Sequence, residues 1–186
     1  DPEGNLKGAV EEAATIRNVY FNSQWYVGDR ANASNFKVEA ERSSVLHIAA
    51  HYRVDPNPSK FVLLLAPDRE SDGSVGIADL SALNNDHLGL VVLSACNSIA
   101  TTDPISSGPS RAAEVFSMAG AKSVLGGLWK VSDEAASKVM GDFYRGLSRG
   151  NSRTEALRRA QIAALGSEGF AHPFYWACFA LYGNPR

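Results

Sequence analysis

A chain of 186 residues with 45% hydrophobic side chains is long and apolar enough for one sizeable globular domain, and too apolar for a disordered tail. Its 18 basic and 20 acidic residues give a net charge of −2, which leaves no basic footprint for nucleic acid or an anionic membrane surface. No apolar run reaches the roughly 18 residues of a membrane span, and the opening DPEGNLKGAVEE has neither the charged start nor the apolar stretch of a signal peptide.

Apolar residues at Val10, Ala13, Ala14, Ile16, Val19 and Tyr20 predict an amphipathic helix over 6–21. QWYVG, 24–28, is a short strand candidate, and NASNFKVEAER reads as a helix begun by Asn32 or Ser34. SSVLHIAAH predicts a strand ending at His51, followed by the turn-rich YRVDPNPSK. KFVLLLAPD is a further strand, RESDGSVG a turn, and GIADLSAL a short helix. LGLVVLSAC is the most strand-like segment, and the polar loop NSIATTDPISSGPS follows it. RAAEVFSMAG is a helix stopped by Gly120, and AKSVLGGLW is a strand. Ser132 caps a helix over SDEAASKVMGDFYRGLSRG, with acids in its first turn, and NSRTEALRRAQIAALGS is the next helix. HPFYWACFALYG closes the chain as an aromatic strand. Strands alternating with helices predict an α/β domain with a mostly parallel central sheet and helices on both faces.

Ligands of such sheets sit beyond the carboxyl ends of the strands. Two reactive side chains are expected there: His51 at the end of VLHIAAH, and Cys96 at the end of LVVLSAC, 45 residues later. If the two strands are parallel neighbours, thiol and imidazole emerge on one rim. A free thiol has a pKa of about 8.5, and a neighbouring histidine raises its thiolate fraction. The same imidazole can protonate a leaving amine. The alternative for Cys96 is packing, since free cysteine is among the most buried residue types. Packing is also the expectation for Cys178, which lies among aromatics, and for His47 in mid-strand. Two cysteines are too few for a secreted disulfide framework, so both are expected as free thiols in a reducing, cytoplasmic setting. Without an initiator Met, the chain reads as a piece of a longer protein.

LHIAAH, VVLSAC, AGAKSVLGGLWKVSDEAA and HPFYWACFALYG, in that order, resemble the CHAT domain, a caspase-related peptidase module often found behind tetratricopeptide repeats. The likeness runs from LKGAVEEAATI to the C-terminus, so the expectation is one caspase-like domain over 1–186, the C-terminal part of a longer protein. The caspase pattern has its histidine about 50 residues before the cysteine, close to the 45 here. The resemblance implies a cysteine endopeptidase with Cys96 as nucleophile and His51 as general base and acid. Backbone N–H groups of Cys96 and Tyr52 would form the oxyanion hole, and no cofactor or metal is implied. Tyr52 departs from the glycine usual after the histidine, and Asn97-Ser98-Ile99 departs from the usual Glu-Thr-Gly. The competing reading is a catalytically degenerate interaction module of the same fold. LWKVSDEAA is similar to the Trp-x-Val-x-Asp stretch of separase, which makes Asp133 the acid that would receive a basic P1 side chain. Asp79 is a second candidate, and each acid also suits the start of its own helix. Trp129 is expected as packing or pocket wall. The partners implied are a protein substrate and an upstream or partner sensor domain, with loop 97–110 as the gating element.

Overall fold

A computed structural model describes residues 7–54, 61–83, 85–94, 111–129 and 131–186. The first helix, α1 (Lys7–Val19), is followed by α2 (Ala33–Arg42), whose cap is Asn32: its Oδ1 accepts the Asn35 N–H at 2.9 Å. Residues 24–28 form no strand. Their aromatic rings cover helices instead of pairing: the Arg17 guanidinium lies 5.2 Å from the Trp25 ring centroid, and the Tyr26 hydroxyl donates to Glu39 at 2.7 Å.

Seven strands form two sheets among the described residues. The main sheet has the order β1-β5-β6-β7, comprising β1 (Val45–Ile48), β5 (Leu90–Leu93), β6 (Ser123–Gly127) and β7 (Phe179–Gly183). β1, β5 and β6 run parallel, and β7 returns antiparallel on the outer edge of β6. The second sheet is antiparallel, with the order β2 (His51–Val54), β3 (Phe61–Leu64) and β4 (Ser74–Gly76). The expected strand ending at His51 is therefore two strands. VLHIAA looks like one apolar run, but β1 stops pairing at Ile48, and His51 opens a hairpin that leaves the main sheet. β4, within the expected turn, is the other element that composition hides: it is three residues long and two are Ser and Gly.

β5 sits between two partners with both faces covered, which is why Leu90, Val91, Val92 and Leu93 are all buried. Its alternate side chains feed two cores. Val91 and Leu93 join Leu46, Ile48 and Val124 against α3 (Ile77–Ser81), α4 (Arg111–Met118) and the smaller sheet. Leu90 and Val92 join Leu125 against α5 (Asp133–Ser148) and α6 (Arg153–Leu165), where Phe143 is fully buried. α5 packs against both α1 and α6. Helices thus cover both faces of a mostly parallel mixed sheet, as the alternating pattern predicts. Gly120, at φ +98°, stands two residues past α4, in the left-handed region that suits a helix stop. Ser132 and Ser152 cap α5 and α6 through the N–H groups of Ala135 and Glu155.

Candidate active site

The candidate site lies around the carboxyl ends of β1 and β5. Ile48 and Leu93 are register partners, and the Ser94 N–H extends the pairing by donating to the Ile48 carbonyl at 2.9 Å. In sequence, His51 is three residues beyond Ile48 and Cys96 three residues beyond Leu93. Cys96 and loop 97–110 lie outside the described residues. His51 is half-buried at the start of β2. Tyr52 pairs in register with Leu63, so its backbone is extended, a conformation open to any L-residue and not reserved for glycine.

Beside Ser94 is a cavity of about 40 Å³, bordered by Gly8, Ala9, Glu12, Ser94, Trp129 and Asp133 among others. It is therefore framed by α1, β5 and the start of α5. Asp133 is exposed as the first residue of α5, and its Oδ2 accepts the Gly8 N–H at 3.0 Å. Trp129 is a wall of this cavity; its Nε1 donates to the Phe174 carbonyl at 2.9 Å. Asp79 does not border it. Lys37 pairs with Asp79 at 2.9 Å, and Asp79 Oδ2 accepts the Gly76 N–H, also at 2.9 Å. These partners, Lys37 first, hold its carboxyl below the usual range. The structure thus brings Asp133 to the rim beside Ser94 and leaves Asp79 at the start of α3.

The cavity also exposes a feature that motif reading misses. Glu12 is only 4% exposed. Its Oε2 accepts from the Ser94 hydroxyl at 2.5 Å, and its Oε1 lies 3.6 Å from His47 Nε2. The other His47 nitrogen, Nδ1, lies 3.0 Å from the Tyr144 hydroxyl. Tyr144 is itself buried, and burial first, then the Glu12 charge, pushes its phenol well above the usual range. His47 is thus packed and hydrogen-bonded, as its mid-strand position suggests. Spacing could have found Glu12: it falls on the Ala9, Ile16, Val19 stripe of α1, whereas Val10, expected on the apolar face, is 47% exposed. Cys178 is fully buried, and burial pushes its thiol up to about 12, which makes it a packing residue. Among the described residues, no three His, Cys, Asp or Glu side chains are grouped to hold a metal, and no helix is long and apolar enough to cross a membrane.

A 69-residue stretch is 38% identical to human (Homo sapiens) tetratricopeptide repeat protein 28 and 36% identical to the mouse (Mus musculus) protein of that name. The match covers 37% of this chain and only 3% of each relative. The CHAT domain family model matches residues 2–184. The chain belongs to the CHAT domain family.

Proposed function

We propose that this CHAT domain is a cysteine endopeptidase that cuts a protein substrate after a basic residue. The observation that carries the reading is the Ile48–Leu93 register, which starts the chain toward His51 and toward Cys96 from one level of one sheet edge. The Cys96 thiolate attacks the peptide carbonyl carbon. N–H groups of Cys96 and Tyr52 stabilise the oxyanion, a contribution of about a hundred- to a thousandfold per donor. The C–N bond breaks as His51 gives its proton to the leaving amine. A thioester remains. His51 then takes a proton from water, the hydroxide attacks the acyl carbon, and the acid leaves with regeneration of the thiolate. Asp133, at the cavity rim, would receive a lysine or arginine side chain through a charge-assisted contact. Asp79, held by Lys37, is the weaker of the two candidate acids.

The degenerate interaction module is the second reading, and Tyr52 in place of the usual glycine favours it. The extended backbone of Tyr52 weakens that objection, because no glycine conformation is required there. The relatives' names carry tetratricopeptide repeats, and we take a repeat domain as the partner that accompanies this one, in a cytoplasmic protein. The deciding experiment offers an arginyl fluorogenic peptide and a partner-protein library to wild type, Cys96→Ala and His51→Ala. Cleavage that disappears in both variants supports the peptidase. Binding without cleavage in all three supports the module.

A further inference from the structure

A buried carboxylate costs several kcal/mol unless it is paired and hydrogen-bonded. Glu12 is buried on a stripe of α1 where Ala or Leu would pack at no such cost. Both of its oxygens face polar groups of the sheet, and those groups come from two neighbouring strands. Ser94 follows β5 directly and lies two residues before Cys96 in sequence; His47 lies in β1, four residues before His51. Glu12 Oε1 and His47 Nε2 make no hydrogen bond and face each other at 3.6 Å. Tyr144 of α5 holds the far nitrogen of the same imidazole. Ser94 therefore anchors Glu12 through Oε2 while Oε1 faces His47, so the side chain lies between the two strands that precede His51 and Cys96 in sequence.

We propose that Glu12 is a positioning residue of the site: its single carboxylate, carried on α1, holds Ser94 beside His47 at the point in sequence where β5 has ended and Cys96 is two residues away. The proposal rests on the peptidase reading for its consequence in catalysis, but not for its structural content. α1 also touches the site one helical turn earlier, where Gly8 N–H donates to Asp133. One turn of α1 thus holds both the segment before the nucleophile and the acid assigned to the basic P1 side chain.

The test compares wild type with Ser94→Ala, Glu12→Leu, Glu12→Gln and the Glu12→Leu/Ser94→Ala double variant. Amide hydrogen exchange over residues 95–100 and the rate of Cys96 alkylation by iodoacetamide are read by mass spectrometry. Peptides from β6 and β7 serve as the internal reference. Ser94→Ala and Glu12→Leu should each change both readings by about fivefold, the scale of one hydrogen bond. The double variant should be no worse than either single one, because both remove the same contact. Glu12→Gln should stay within about twofold of wild type, since its amide oxygen still accepts from Ser94 and its NH₂ can donate to His47. If Glu12→Leu does not fold, Ser94→Ala carries the test alone. Unchanged exchange and alkylation in Ser94→Ala, or effects that simply add, would overturn the proposal. Failure of the peptidase reading looks different: wild-type Cys96 would ignore an arginyl electrophile while exchange at 95–100 still responded to Ser94→Ala.

Discussion

Gly8→Ala is expected to destabilise the protein, although alanine is the best helix former. Gly8 is the second residue of α1, and a β-carbon there would stand 2.3 Å from Asp133 Cβ and 2.6 Å from its Cγ. Neither atom is the free end of a flexible side chain, so α1 and the start of α5 must separate. Overpacking of this kind costs about 1–3 kcal/mol, and separation also weakens the 3.0 Å bond from Gly8 N–H to Asp133, worth about 1 kcal/mol at an exposed position. Replacing glycine in a helix returns at most ~1 kcal/mol. The balance is a loss of about 1–3 kcal/mol, or ~2–12 °C in Tm for a chain of this size. Scanning calorimetry or urea unfolding measures it. In an Asp133→Gly background the obstructing β-carbon is gone, and Gly8→Ala should become neutral or raise Tm by ~2–4 °C. In an Asp133→Ala background the clash persists, because the β-carbon remains. A rise in Tm on Gly8→Ala in the wild-type background would refute the close approach of α1 to Asp133.

Other expectations follow from the same geometry. Asn85 is buried, and its Nδ2 donates to the carbonyls of Ala40 and Ser43 at 2.7 and 2.8 Å; Asn85→Ala strands both and should cost about 2–4 kcal/mol by urea unfolding. Phe143→Ala in the α5 core should cost about 3–5 kcal/mol. Arg158 and Arg159 hold the Glu155 carboxyl down from its ordinary 4.5 to about 2. A depressed folded pKa adds stability above the unfolded value and loses it as pH falls through the folded one. The Tm difference between wild type and Glu155→Gln should therefore be constant above about pH 5, shrink below 4.5 and vanish near pH 2. Asp133→Asn should lower kcat/KM for arginyl substrates by about tenfold to a hundredfold and leave a neutral P1 substrate less affected.

Helices and the central sheet were legible because their signals are local. Asn32 and Ser132 announce two helix starts, and the fully apolar LVVL announces a strand covered on both faces. The hairpin from His51 was not legible, because apolarity continues through Ala49 and Ala50 while pairing stops at Ile48. Nothing in composition separates a strand that ends from one that changes sheets. QWYVG misled for the opposite reason: β-favouring aromatics also serve to cover a helix, as Trp25 and Tyr26 do. At the site, the resemblance of LWKVSDEAA to the separase stretch singles out Asp133 but gives no sign that it shares a cavity with Ser94. The Glu12–His47–Tyr144 contact follows from no motif, since it joins residues 12, 47 and 144 from three elements. A lone acid on an apolar stripe is its single trace in the sequence.

The most direct test of the account is labelling with a peptide electrophile that ends in arginine, followed by mass spectrometry of the Cys96 and Cys178 peptides. The account predicts covalent modification at Cys96 alone, lost in His51→Ala and slowed in Asp133→Asn, with Cys178 untouched behind its buried thiol. Labelling of Cys96 that is indifferent to His51, or no labelling of Cys96 at all, would contradict it.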